Sequence, residues 1–408
     1  MRWFWQRNKN ARVSDDWLDA GSSLLDRHDS PIRSEGYDWS VIGVVVFLLA
    51  FGTIMVFSAS ISMVDKPNMN VSQTHFLLRH VVSMAIALAV GLIVYNIPLR
   101  WWNRFAPVLI VLAMLLLWAV FLPGIGRTVN GARRWIHVGM NLQVSEVAKF
   151  AALIGAAYYT VKRQEFMHSL TRGLAPAAVV MFFALLAISW QPDLGAMMVV
   201  IVIVFGVLFL GGLKGWIVSL LIAGAVLMAS LMVYFTPWRM GRLVAYLDPW
   251  NPDYMMGKGY QLTHSLIAFG RGEWFGVGLG ASIEKLHYLP EAHTDFILAV
   301  VGEELGFVGV MCVLAAFYWL VRRAFAIGRQ AIRLDRPFSG LVAQGIGIWI
   351  GVQVIVNGGV ATGILPTKGL TLPLVSFGGS SMLVTMAALA LLLRVDRENR
   401  ILMRGGSV

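Results

Sequence analysis

The sequence predicts an all-α polytopic membrane protein of about ten transmembrane helices, with a large extracytoplasmic loop between the seventh and eighth. Three observations predict it. Of 408 residues, 58% are hydrophobic and only 13% charged, and the mean hydropathy is +0.70; a soluble domain is about 45–50% apolar and 25% charged. Ten stretches are long and apolar enough to cross a bilayer, which takes about 20 residues in a helix. None of them alternates apolar and polar residues as the strands of a membrane β-barrel do.

In chain order, residues 1–38 carry six basic and seven acidic residues. They contain no apolar run of signal-peptide length and read as a cytoplasmic polar tail, leaving the first span as an uncleaved anchor. The spans follow at 39–60, 80–98, 105–122, 144–161, 173–190, 194–213, 215–236, 296–321, 339–364 and 370–393. Residues 39–394 then form one membrane domain and 395–408 a cytoplasmic tail. With the N-terminus inside, inner segments carry 21 Lys and Arg and outer segments 11, the bias expected of cytoplasmic loops. Loop bias also explains most of the net charge of +11 without nucleic acid. The lone Cys312 excludes an intrachain disulfide and any multi-cysteine metal site.

Residues 237–294 form the long outer loop, and loops of this length in compact bundles are usually functional. Tyr260–Phe269 reads as a short interfacial helix. The run Gly270–Gly280 lacks the Lys-Ser/Thr of a phosphate loop and reads as flexible backbone.

Several polar groups fall at the outer ends of the spans. Arg134 precedes span four, and Glu146 and Lys149 share one face of that span's first turns. Asp193 sits between spans five and six, and His293, Thr294 and Asp295 open span eight. Lys368 precedes span ten, and Ser380 lies in its outer half. Arg239 and Arg242 lie in the long loop. The pair Glu303–Glu304 would lie about 12 Å further along a straight helix from Asp295. Intramembrane ionisable groups are costly and usually face a cavity or a partner. Each group also has a plainer reading. Glu146–Lys149 is a structural ion pair or a ligand site, Asp193 part of a tight turn, Asp295 a helix cap, and Ser380 a small packing residue. His287 and His293 flank Glu291 without a zinc spacing. A hard divalent cation bridging phosphates remains compatible with so few ligands.

The stretches Arg134-Trp-Ile, Glu146-x-x-Lys149, Gln191-Pro-Asp-Leu-Gly195, Pro290-Glu-Ala-His-Thr-Asp-Phe296, Gly302-Glu-Glu-Leu-Gly306, Pro366-Thr-Lys-Gly-Leu-Thr-Leu-Pro373 and Ser376-Phe-Gly-Gly-Ser-Ser381 resemble those of the SEDS family of peptidoglycan polymerases. They keep the family's order from first span to last. The Pro-Thr-Lys-Gly form at Lys368 resembles the division branch more than the elongation branch, and Phe377 stands where Tyr is common.

The resemblance implies a glycosyltransferase that polymerises lipid II, with undecaprenyl-linked glycan as donor, on the outer face of the bacterial cytoplasmic membrane at the septum. It places the catalytic aspartate on Asp295, the essential Glu–Lys pair on Glu146 and Lys149, and the loop arginine on Arg134. It further implies a class B penicillin-binding protein partner, FtsI, and other division proteins. Transfer would invert the anomeric centre and release undecaprenyl pyrophosphate. One carboxylate base suffices, and Arg134, Lys149, Lys368, Arg239, Arg242 or a divalent cation (Mg²⁺ or Mn²⁺) would stabilise the leaving group. Substrate contacts are further expected from Asp193, His293, Thr294 and Ser380. The rival expectations are a lipid II flippase and a non-catalytic scaffold of the division machinery.

Overall fold

Asp38 opens the first helix by accepting from the Ser40 and Val41 amides at 3.1 and 3.4 Å, as an N-cap should. The computed structural model describes residues 36–61, 74–129, 131–167, 169, 173–367 and 369–408. Most of the tail expected over 1–38, and Lys368, lie outside the described residues. Tyr37–Val408 forms one unit.

The membrane helices are α1 (Trp39–Ser60), α2 (His75–Asn96), α3 (Leu99–Ala119), α4 (Val144–Lys162), α5 (Ala175–Trp190), α6 (Leu194–Leu210) and α7 (Gly215–Tyr234). The outer loop contributes α8 (Pro237–Leu247) and α9 (Tyr260–Gly272), and the bundle ends with α10 (Ile297–Arg333), α11 (Pro337–Ala361) and α12 (Gly379–Met403). Six of these are long and apolar enough to cross a membrane by length and composition alone. Shorter apolar helices such as α5 and α6 stand among them.

α10 and α11 pack tightly at the centre. Val313, Phe317, Leu320 and Ala324 are buried in the same core as Val342, Ile346, Trp349 and Ile350. The two helices approach closely at Gly328 and Gly340, where a Cβ on either would lie within 3 Å of the other's carbonyl oxygen. Small residues serve such contacts in lipid, where no hydrophobic effect drives helices together. α7 seats its base, through Ile217, against Phe205 and Leu208 of α6. Beyond it, Leu220, Leu227 and Leu231 are exposed, as lipid-facing side chains should be.

Five of the differences from the sequence expectation bear on the frame of the molecule. The residues before span four form a three-stranded antiparallel sheet of β1 (Gly126–Val129), β2 (Ala132–Val138) and β3 (Met140–Gln143). β2 turns into β3 at Gly139, whose φ of 70° suits glycine. Spans two and three each begin five or six residues earlier than expected, at His75 and Leu99. Residues 370–378 are not helical; they form a buried segment that turns at residues 373–375, and the last helix starts only at Gly379. That helix runs on to Met403, so residues 395–403 continue it, with Val395, Asp396 and Glu398 buried.

The fifth difference is the glycine run, which is held fast. α10 breaks at Gly306 (φ 66°, ψ −164°), and the loop pairs with the break. Val277 and Gly278 amides donate to the carbonyls of Glu303 and Glu304, at 2.9 and 3.1 Å. Phe307 and Val308 amides donate back to Glu273 and Trp274, at 2.9 and 3.1 Å. Both carboxylates fix the same loop. Glu303 accepts from Ser282 Oγ, from the Ile283 amide at 2.9 Å and from Arg271 Nη1 at 3.1 Å. Glu304 accepts from Lys285 Nζ at 2.6 Å and Ser58 Oγ at 2.7 Å.

Candidate active site

The turn before α10 carries the site. Glu291 takes a left-handed φ of 58°, and its carbonyl accepts from the Thr294 and Phe296 amides at 3.1 and 3.2 Å. Thr294 Oγ1 donates to the Glu291 carboxylate at 2.6 Å. The non-helical segment before α12 then clamps the turn. Ser376 Oγ donates to the Thr294 carbonyl at 2.6 Å, and the Phe377 amide to that of His293 at 3.0 Å. Asn357 of α11 donates to the carbonyls of both Asp295 and Leu370, at 2.8 and 2.6 Å. Gly369 lies so close that a Cβ there would sit 2.8 Å from Asp295 Oδ2.

The opposite wall comes from the sheet and from α4 and α6. The Gln143 amide donates to Ser380 Oγ at 2.9 Å, and Ser380 donates on to the Asn141 carbonyl at 2.9 Å. The sheet is thereby pinned to α12. Asp193 caps α6 through the Ala196 amide at 3.1 Å and accepts from Gln143 Nε2 and Ser145 Oγ at 2.9 and 2.8 Å.

Between these walls is a cavity of about 240 Å³. Six of the residues singled out in the sequence line it: Arg134, Glu146, Asp193, Thr294, Asp295 and Ser380. Five others stand elsewhere or undescribed. Lys149 lies behind the wall, fully buried, 2.7 Å from Glu146 Oε1 and 5.7 Å from the centre of the Trp349 ring. His293 packs its ring against Phe76 and Phe377, with centroids 5.4 and 5.6 Å away. Arg239 and Arg242 are carried on α8, and Arg242 is not part of the cavity lining. Lys368 lies outside the described residues.

Sequence reasoning missed Glu291, Gln143 and Thr371 as cavity residues, and Asn357 as the brace behind Asp295. Only Glu291 had a signal, as a carboxylate two residues from His293; the rest are neutral.

Burial pushes the Asp295 carboxyl up to about 7, with the Glu291 charge adding to the effect and Arg134 opposing it. Asp193 adds a smaller push in the same direction as burial. Three buried atoms on the cavity wall, Arg134 Nε, Trp135 Nε1 and Glu146 Oε2, lack hydrogen-bond partners among the described residues. Such atoms are costly unless something binds them. Two donors and an acceptor around a carboxylate whose burial favours its protonated form suit a polar ligand that exchanges a proton. No group of three His, Cys, Asp or Glu among the described residues is placed to hold a metal. An ion held by one or two carboxylates and by substrate phosphates is the form that fits.

The model of a cell cycle protein family, FtsW/RodA/SpoVE, matches residues 38–401. A protein of Polynucleobacter necessarius is 54% identical over 92% of this chain and 89% of its own length. One from Burkholderia thailandensis is 55% identical over 93% and 83%. Both carry the name probable peptidoglycan glycosyltransferase FtsW. Among solved structures, a chain from a peptidoglycan synthase complex that coordinates polymerization and crosslinking superposes with a TM-score of 0.69. It shares 29% identity over 89% of this chain and 98% of that one.

Proposed function

The chain belongs to the FtsW/RodA/SpoVE family of cell cycle proteins, and from that premise we propose how it works as a peptidoglycan glycosyltransferase. It is a multi-pass membrane enzyme. The proposed acceptor is lipid II and the proposed donor a glycan still linked to undecaprenyl pyrophosphate, joined on the outer face of the membrane at the division septum.

Asp295 acts as the general base. It takes the proton of the acceptor sugar hydroxyl as that oxygen attacks the donor's anomeric carbon from the face opposite the pyrophosphate, so the configuration inverts. An ordinary aspartate, with a pKa near 3.9, is a weak base at neutral pH. One held near 7 is matched to the task. Pyrophosphate leaves with the bonding electrons and needs charge stabilisation more than a proton. Arg134 supplies it across the cavity, with its Nε free of other partners among the described residues. A divalent cation, when bound, would add Lewis-acid stabilisation of the same oxygens, and Asp295 and Glu291 are the residues that would hold it. Glu146, paired with buried Lys149 through Oε1, offers Oε2 as an acceptor for a substrate hydroxyl.

The observation that carries this reading is the Asp295 carboxyl, raised to about 7 on the wall of a polar cavity. The resemblance to a synthase complex supports a crosslinking partner, proposed to be the class B penicillin-binding protein FtsI, with other division proteins around it. The test is polymerisation of lipid II by the purified protein with that partner. Wild type should make glycan; Asp295→Asn should bind lipid II and make none. Equal product from both would remove Asp295 from the mechanism.

A further inference from the structure

Successive side chains of a strand point to opposite faces, and β2 breaks that rule at the polar cavity. Arg133 reaches away from the cavity and donates to the carbonyls of Gly126, Phe121 and Leu122, at 3.3, 3.2 and 2.8 Å. Ile136 is buried on the same side, in a cluster with Leu117 and Val120. Between them stand Arg134 and Trp135, consecutive residues that both line the cavity. The strand pairing explains how. Arg127 pairs with Trp135 but Thr128 with Arg133, so Arg134 is an extra residue on β2. This is a β-bulge, a device that re-aims a side chain beside a site. It lets two neighbours on one strand serve one pocket.

Trp135 brings a donor that nothing in the protein uses. Its Nε1 is buried and has no hydrogen-bond partner among the described residues. An indole N–H only donates, so the ligand must supply an acceptor. Lipid II offers phosphate oxygens, hydroxyls and the carbonyls of acetamido groups. The neighbouring Arg134, cationic and forked, is the better partner for phosphate. A hydroxyl donates as well as accepts, which suits Glu146 Oε2, the unpaired acceptor on the cavity wall. An acetamido carbonyl only accepts, and it carries an apolar methyl. Indole matches both, with its N–H at the edge of an apolar ring. Val129, also on β1 of this sheet, adds a second apolar side chain to the lining.

We propose that Trp135 reads the substrate's N-acetylation: its indole N–H donates to the carbonyl oxygen of a sugar 2-acetamido group, so that the cavity selects an N-acetylated sugar over a plain hexose. The proposal rests on the polymerase reading above. A site built to pair with a polar group discriminates against a substrate that lacks it, because its own buried group is then left unpaired. The bulge divides the work, phosphate to Arg134 and amide to Trp135.

The test uses the full-length protein with its partner in detergent and reads lipid II binding separately from glycan formation. Lipid II is compared with two analogues, each carrying a hydroxyl in place of the 2-acetamido group of one sugar. Trp135→Phe keeps an aromatic ring and deletes the N–H. It should weaken lipid II binding about fivefold, the net contribution of one neutral hydrogen bond. On one of the two analogues the same substitution should cost nothing, because the contact has already gone, and that analogue identifies the sugar being read. Wild type should bind that analogue about fivefold more weakly than lipid II. Equal loss on lipid II and on both analogues would put the indole against the pyrophosphate or the peptide and overturn the proposal. No loss on any of the three would overturn it too. Should Trp135→Phe not fold, β-(3-benzothienyl)alanine at position 135 keeps the shape of indole with sulfur in place of the N–H, and the same comparison decides. Affinity that depends on the indole and the acetamido group together, in a wild type that makes no glycan, would fail the polymerase reading and leave the Trp135 assignment standing.

Discussion

Asp295 ionises near neutrality because burial and the Glu291 charge outweigh Arg134, and two measurements follow. As a base it must be ionised to act, so kcat/KM should climb with pH and reach half its plateau near 7. A pH–rate profile already flat from pH 5 would contradict the assignment. Stability runs the other way. The folded pKa lies above the unfolded value of about 3.9, so the folded state holds the proton that the unfolded state has lost. Stability should therefore fall as pH rises from about 4 to 7 and level off beyond. Asp295→Asn removes that penalty, so its melting temperature should exceed wild type's by more at pH 8 than at pH 4. Gly369 sets the carboxylate's position. A methyl there would stand 2.8 Å from Oδ2, so Gly369→Ala should turn the carboxylate aside. A misplacement of that order costs roughly 10²-fold in rate, expected here with little change in melting temperature. A charge stands out in an apolar sequence because burying it is expensive, so Arg134, Glu146, Asp193 and Asp295 were legible. Asn357 and Gly369 were not, because an amide and a glycine within apolar surroundings carry no such signal.

The Glu146–Lys149 pair and the break in α10 show how elements hold the site. Lys149 is fully buried, and Glu146 is its 2.7 Å partner. Glu146→Met should cost about 3–5 kcal/mol by leaving a buried charge alone. Adding Lys149→Met should recover most of that stability. Polymerisation should stay lost in the double variant, because Glu146 Oε2 has gone from the cavity wall; recovery of both would make the pair structural only. In α10, Gly306 occupies a conformation open almost only to glycine. A Cβ there would come within 2.4 Å of the Gly276 nitrogen. Gly306→Ala should cost about 1–3 kcal/mol from the backbone alone and loosen the loop. Faster hydrogen exchange at the amides of Val277, Gly278, Phe307 and Val308 would report it, and unchanged exchange would show the latch to be unimportant. The sequence showed this glycine run but not its role. Glycine permits flexibility and close backbone approach alike, and only the partner strand across the break selects the second. The same ambiguity hid residues 370–378, whose apolar side chains suit a buried non-helical segment as well as a span.

At the scale of the whole molecule, a bundle of apolar membrane helices was legible because it follows from the cost of moving polar groups through hydrocarbon. The sheet ahead of α4 was not, being short and made of ordinary loop residues. The arginines that the sequence reading assigns to the inner side also build the bundle. Arg323 pairs with Asp38, Arg336 and Arg394 with Glu398, and Arg400 with Asp396. These pairs tie α1, α10, α11 and α12 together at one end. Counting basic residues remains valid as a topology rule, since acidic partners contribute little to it. The proposed topology has the end bearing this network cytoplasmic and the Asp295 cavity opening outward. The orientation can be read with single cysteines after Cys312→Ser. Met256, 81% exposed in the outer loop, and Gly405, exposed beyond α12, mark the two faces. In intact spheroplasts a membrane-impermeant maleimide should label Met256→Cys, and should reach Gly405→Cys only after permeabilisation. The reverse pattern would put the polar cavity on the cytoplasmic face, where glycan strands could not join the wall, and would overturn the proposed polymerisation outside the membrane.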